Sequence, residues 1–454
     1  MRIPKSTEEI RMKKICVSED REIGNIKPMH AVNNGPSYKF ASDQRITNID
    51  AFRDAGIPYA RTHDSSFYST YGGEHTVDVH AIFPDFNADP YDAASYDFVC
   101  TDEYLKVMEM CGVKPFYRLG SKIEHTIKKY GTLPPKDFKK WAIVCEHIIR
   151  HYNEGFANGF HMNIEYWEIW NEPDLDPDDS THKRTWGGTA AQFYEFFNIA
   201  LEHLKGCFPD LKIGGPAFCD LHNKKWLDGF FASIKVKPDF LSWHIYSDTV
   251  ERIVNECRWS KELFESYGMG DAEIILNEWN YVKGWTDDQW VYSLKTIKSL
   301  KGASFSAGVM CSCQYEPVDM LMYYDARPCS MNGMFCTDWV CENLKGYYPF
   351  KMFNTLYSLK TAVPVTIDGE NIYAAAAKDG NGRTAIMLTY YDDKETDAFC
   401  DVTINLKGDG RSRTADFYLL DENHNAELVK TEKTDGNITL KMSLFSTLLI
   451  DIHE

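Results

Sequence analysis

The sequence predicts a (β/α)8 barrel followed by a smaller antiparallel β-sandwich. Three observations carry this reading. Short apolar runs alternate with longer amphipathic runs over the first 350 residues, the rhythm of a parallel sheet whose strands are joined by helices. After about residue 350 the rhythm becomes one of closely spaced short strands divided by turn residues. A length of 454 residues suits one barrel plus a domain of about 100 residues. The barrel is placed at residues 16–350 and the sandwich at 351–454, with residues 1–15 available to pack against the sandwich.

In chain order, a weak first strand is expected near residues 23–32 and a second at 57–62. Further strands are expected at 113–119, 165–171, 211–217, 239–245, 272–278 and 305–313. Between them, residues 101–111 set Leu105, Met108 and Cys111 at helical spacing behind Thr101 as N-cap. Residues 136–152 place Phe138, Trp141, Cys145, Ile148, Ile149 and Tyr152 on one face. Residues 189–205 do the same with Phe193, Phe196, Phe197, Ala200, Leu201 and Leu204, capped by Thr189. A doubly wound sheet would call for a Gly-rich phosphate loop after its first strand, and the sequence offers none. The sandwich strands are expected at 371–378, 384–391, 400–406, 415–420, 437–442 and 446–452. Turns such as Asp379-Gly380-Asn381-Gly382 separate them.

Net charge is −18, which argues against nucleic acid or an anionic membrane as partner, because phosphate would be repelled. The N-terminal MRIPKSTEEIRMKK has no apolar stretch of a signal peptide, and no apolar run of membrane-spanning length occurs. Thirteen cysteines, several within apolar stretches, read as reduced thiols in a cytoplasmic setting. Cys311 and Cys313 form a lone C-x-C pair, too few ligands for a zinc site, so no metal is expected. Homo-oligomer formation is left open.

The chemistry concentrates at two strand ends. In Glu165-Tyr-Trp-Glu-Ile-Trp-Asn171-Glu172-Pro173, an apolar run builds the strand, Asn171 and Glu172 fall at its tip, and Pro173 stops further pairing. In Ile274-Ile-Leu-Asn-Glu278-Trp279, a buried strand again delivers a glutamate preceded by asparagine. By count these are the fourth and seventh strands. Barrel sites form at the C-terminal strand ends, and glycoside hydrolysis needs two carboxyl groups flanking one bond. Trp285 follows Gly284 in an expected loop and is a candidate stacking platform.

The tetrapeptide Trp170–Pro173 resembles the acid/base motif of the large (β/α)8-barrel glycoside hydrolase clan with catalytic glutamates on strands four and seven. The fuller E-Y-W-E-I-W-N-E-P-D, the S-W-H-x-Y at 242–246 and the N-E-W at 277–279 resemble glycoside hydrolase family 39, which contains β-xylosidases and α-L-iduronidases. The resemblance runs from about residue 55 to 335. It implies Glu172 as acid/base, Glu278 as nucleophile, Asn171 as a ligand of the sugar 2-hydroxyl and Tyr246 as the phenol that holds the nucleophile. It further implies that Arg61 lies near the nucleophile, that His244 lines the subsite, that His63 and Asp64 reach sugar hydroxyls, and that Glu316 serves as an additional acid toward the sugar. The clan's tryptophan at the end of strand eight is absent here; Tyr315, Tyr323 and Tyr324 stand nearest.

The function so implied is retaining hydrolysis of a terminal β-xyloside or β-glucoside, with a glycoside or oligosaccharide as substrate and no cofactor. Iduronidase-like or arabinofuranosidase specificity, a transglycosylase and a non-catalytic sugar-binding barrel are the alternatives. The stretch from about 64 to 100, rich in His, Asp and aromatic residues, reads as a loop that closes one end of the cleft and favours exo action.

Overall fold

The computed structural model describes residues 12–37, 47–64, 76–337, 341–408 and 410–454. Eight parallel strands close into a barrel in chain order. They are β1 (Ala31–Asn33), β2 (Tyr59–Arg61), β3 (Lys114–Leu119), β4 (Tyr166–Ile169), β5 (Lys212–Phe218), β6 (Phe240–Ser247), β7 (Glu273–Tyr281) and β8 (Met320–Tyr323). β1 pairs with β8 and so completes the circle.

The barrel interior is layered. Ala31, Phe116, Tyr166, Phe240, Ile275 and Met320 form one apolar cluster from six strands. Because side chains on a strand repeat every second residue, the next inward layer is Asn33, Arg61, Arg118, Glu168, Ser242 and Asn277. These six polar side chains are completely buried, and Met322 of β8 is the apolar member at the same level. Period two alone would turn Glu278 away from the face of Asn277. Register shifts between Trp243 and His244 on β6 and between Leu276 and Trp279 on β7 interrupt the pairing there, and such irregularities re-aim side chains.

The helices follow their sequence signals closely. Thr189 caps Ala190–Cys207 with a capping box closed by Gln192, and Asp137 caps Phe138–Asn153. Thr101 lies inside Val99–Met110 instead of capping it. Of the long 64–100 stretch, residues 65–75 lie outside the described residues; the rest includes the short helix Val79–Ile82.

The eighth strand lies elsewhere than expected. Residues 305–313 are not strand eight: they belong to the helix Leu300–Cys313. Every residue of that helix except Ser312 is buried, because it is wedged between the barrel and the sandwich. Ser304 Oγ meets Thr389 Oγ1 at 2.8 Å, and the Cys311 thiol donates to the Met387 carbonyl at 3.7 Å. A helix buried all round shows no 3.6-residue period, so its composition mimics a buried strand. The true β8 begins only at Met320.

The sandwich consists of two sheets. The strand order of one is Thr361–Ala362, Ile372–Lys378, Thr384–Tyr390, Thr447–His453, Arg413–Leu420 and Asn425–Thr434. The other orders Val365–Asp368, Lys13–Ser18, Phe399–Lys407 and Asn437–Ser443. One core cluster, including Ile15, Val17, Ile386, Leu388, Val402, Ile404 and Ile450, joins them. The strand Lys13–Ser18 crosses the expected boundary at residue 16: all of it lies in the sandwich, where it runs parallel to Phe399–Lys407. Among the described residues no helix is long and apolar enough to cross a membrane.

Candidate active site

The turn after β4 has an unusual backbone. Trp170 and Glu172 both have left-handed φ, +76° and +46°, a conformation costing on the order of 1–3 kcal/mol for a non-glycine residue. The surroundings hold it. The Glu172 N–H donates to the Ala217 carbonyl at 3.0 Å, Thr185 Oγ1 donates to the Glu172 carbonyl at 2.5 Å, and Trp170 Nε1 donates to the Thr185 carbonyl at 2.9 Å.

Arg61 is the hub of the buried polar layer. Its Nε donates to Glu168 Oε2 at 2.7 Å, one terminal nitrogen to Asn171 Oδ1 at 2.6 Å, and the other to Asn33 Oδ1 at 3.2 Å and Glu278 Oε2 at 3.4 Å. Glu168 Oε1 also accepts from Ser242 Oγ at 2.6 Å and from the Asn277 amide at 2.5 Å. The Tyr246 hydroxyl donates to Glu278 Oε1, and His63 Nε2 stands 3.6 Å from Glu278 Oε2.

His244 bridges the two glutamates. Its Nδ1 is 2.8 Å from Glu172 Oε1 and 3.6 Å from Glu278 Oε2. A carboxylate oxygen of each glutamate and this imidazole nitrogen lie within 4.8 Å of one another. Burial lowers the His244 imidazole to about 4 against the opposing charge of Glu278, so the ring is neutral near pH 7. Burial likewise raises the Glu172 carboxyl above its ordinary value, although His63, Arg61 and Arg184 pull the other way. The 2.8 Å contact thus joins a neutral imidazole to a carboxyl whose proton affinity is raised.

These groups line a cavity of about 660 Å³. Of the residues singled out in the sequence, His63, Asn171, Glu172, His244, Tyr246, Glu278 and Trp285 are on its wall. Trp285 is 63% exposed, stacks on Trp290 at 5.2 Å and meets Tyr246 edge-on at 5.4 Å. Arg61 and Asp64 are behind the wall. Arg61 is fully buried and reaches the cavity wall through Asn171 and Glu278. Asp64 is occupied by His63 at 3.3 Å, the Tyr324 hydroxyl at 3.2 Å and Arg327 at 3.4 Å. Burial would raise its carboxyl; the charges of His63, Arg327 and Arg118 outweigh it and hold Asp64 well below the usual range.

Glu316 is a correction. It precedes β8, at the opposite end of the barrel, and pairs there with Arg258, whose Nε donates to it at 2.7 Å. The misassigned strand eight is the cause. Tyr324, just past β8, lines the cavity instead. Sequence reading also passed over Glu168, Ser242 and Asn277. An acid inside an apolar strand, two residues from an inward-facing Tyr166, was the available signal for Glu168.

Among the described residues two trios have spacing suited to a metal: Glu172, His244 and Glu278, and, on the outer helices, Glu146, His203 and Cys207. Each already has an arginine beside it, Arg61 at 3.4 Å from Glu278 and Arg150 at 2.8 Å from Glu146, and that charge opposes a cation.

Residues 60–263 match the model of Glycosyl hydrolases family 39. That span includes Glu172, His244 and Tyr246 and ends before Glu278. A β-xylosidase of Caldicellulosiruptor saccharolyticus is 26% identical over 209 residues, 41% of this chain and 41% of that protein. A β-xylosidase of Geobacillus stearothermophilus is 26% identical over 166 residues, 34% of this chain and 31% of that protein. The chain thus spans about a third to two fifths of the length of the curated relatives it matches. In fold the likeness is end to end. The crystal structure of a glucosidase from Croceicoccus marinus superposes with a TM-score of 0.78 at 22% identity, over 98% of this chain and 99% of that one. The chain therefore resembles the family-39-like clan in sequence across much of the barrel, and a (β/α)8 barrel with an added sandwich throughout.

Proposed function

We propose that this chain is a retaining glycoside hydrolase that releases a terminal sugar, of β-xyloside or β-glucoside type, from a glycoside or oligosaccharide. The observation that carries the reading is the pair of glutamates on the wall of one cavity, with carboxylate oxygens within 4.8 Å of each other. Retaining enzymes hold their carboxyl groups about 5–5.5 Å apart, whereas inverting ones leave about 6.5–9.5 Å for a water.

In the first step Glu278 attacks the anomeric carbon while Glu172 gives its proton to the departing oxygen. Arg61 and the Tyr246 hydroxyl hydrogen-bond to Glu278 and hold its oxygens in place for the attack. Forming the ester removes the Glu278 charge, so the proton affinity of Glu172 falls and it turns to base. It then takes a proton from the water that attacks the anomeric carbon. Water returns the sugar with its configuration retained and frees Glu278. Asn171, fixed by Arg61, presents its amide to the sugar, and the exposed Trp285–Trp290 pair offers a face for ring stacking. Thirteen free thiols accord with a reducing, cytoplasmic setting, and the net charge of −18 disfavours nucleic acid as a partner. The barrel is read as the catalytic unit and the sandwich as an accessory to it.

A panel of aryl glycosides tests the reading and identifies the sugar. Glu278→Ala is expected to abolish turnover, with azide restoring release of a product of inverted configuration. Glu172→Ala is expected to lose about 10²–10⁴-fold on poor leaving groups and far less on activated ones. Full activity of the first variant, or equal losses in the second, would refute the assignments.

A further inference from the structure

Asp174 takes no part in the scheme above, yet it lies two residues beyond the proton donor and is only 7% exposed. Among the described residues no cation pairs with it. Instead each of its oxygens accepts a backbone N–H from just past β5, Oδ1 from Cys219 and Oδ2 from Asp220, both at 2.9 Å. Together with the bond from the Glu172 N–H to Ala217, this fastens the donor's turn to the end of β5 at three points. The Cys219 side chain lines the cavity with Glu172 and acts to lower the proton affinity of its carboxyl. Burying a carboxyl without a cation is costly unless its oxygens are satisfied. Burial raises Asp174 to about 7 even though backbone amides pull it down, and the Glu172 charge adds to the rise.

The geometry points to Asp174 as a positioning residue for the general acid: through the backbone of Cys219 and Asp220 it seats the Cys219 thiol against Glu172 and fixes where the proton departs. This rests on the reading of Glu172 as proton donor. A thiol beside the ionised carboxylate favours that form by donating to it. Glu278, Tyr246, His63, His244, Arg61 and Arg184 also face that carboxyl and are unaltered in the variants below.

The test compares wild type, Glu172→Ala, Asp174→Asn, Cys219→Ala and Cys219→Ser on two glycosides of the sugar the wild type cleaves, one with a nitrophenyl and one with an alkyl leaving group. Asp174→Asn turns one acceptor into an amide NH2 facing an N–H. It is expected to lose about tenfold on the alkyl glycoside, a fraction of what a general acid contributes, and little on the nitrophenyl one. Cys219→Ala is expected to move the basic limb of kcat/KM to higher pH, and Cys219→Ser to restore it. Equal losses for Asp174→Asn on both substrates, or an unmoved limb in Cys219→Ala, overturns the proposal. If Asp174→Asn does not fold, the cysteine pair alone decides. Failure of the underlying reading looks different: wild type cleaves no glycoside, or Glu172→Ala loses equally on both substrates.

Discussion

Glu168 shows how a residue outside the cavity governs the chemistry within it. It balances the fully buried Arg61, which would otherwise have Glu278 as its nearest charge. Removing one partner of a buried ion pair costs about 3–5 kcal/mol, because the other charge is left uncompensated. Glu168→Gln is expected to lower stability by about that amount in urea unfolding; a loss below about 1 kcal/mol would show that the pair is not what holds this layer. The pH dependence follows from Glu172. Its proton affinity is raised, chiefly by burial, and the first step needs the protonated form. Activity should therefore persist above the ordinary glutamate value of 4.5 and fall only as pH rises through the shifted one. A kcat/KM profile that collapses near 4.5 would contradict this. Glu172 and Glu278 were legible in the sequence because each follows an apolar run and breaks its pattern. Glu168 was not, because an inward acid in mid-strand makes sense only once Arg61, two strands away in the barrel, is seen beside it.

At the scale of elements, periodicity located six of the barrel strands and the amphipathic helices, met the first strand, Ala31–Asn33, only at the end of the expected 23–32, and failed at Leu300–Cys313 for a physical reason. Periodicity reports a boundary between core and solvent, and this helix has no solvent face. The error then moved Glu316 to the wrong end of the barrel. Gly302 measures how tightly the helix is held. By intrinsic propensity alone, Gly302→Ala would stabilise a helix by about 1 kcal/mol. A Cβ at that position would stand 2.4 Å from the Thr296 carbonyl oxygen and 2.8 Å from that of Ile297, backbone atoms that cannot swing aside. Overpacking of this kind costs about 1–3 kcal/mol, so the clash should win. A lower midpoint in thermal unfolding is expected, and a raised one would mean that the preceding turn yields freely.

For the molecule as a whole, the question is whether the sandwich can be separated from the chemistry. The first sandwich strand, Lys13–Ser18, comes from the amino-terminal side of the barrel and is paired on both edges, so the barrel is enclosed in sequence by the domain it packs against. The strand bearing the nucleophile is tied to the sandwich as well: β7 ends at Tyr281, whose hydroxyl donates to Asp393 at 2.8 Å. Lys301, largely buried at the helix start, pairs with the same Asp393 at 3.1 Å. Tyr391 donates to the Asp248 carbonyl, just past β6, at 2.6 Å. Ending the chain at Leu359 would cut all three links and uncover the sandwich-facing side of Leu300–Cys313, an apolar patch that invites association. Residues 1–359 alone are therefore expected to be insoluble or aggregated by size-exclusion chromatography. Any soluble fraction should lose activity, because the support behind β7 is gone. A soluble, monomeric 1–359 that cleaves the same glycoside at the full-length rate would show that the sandwich is a passenger, and that the barrel positions Glu278 unaided.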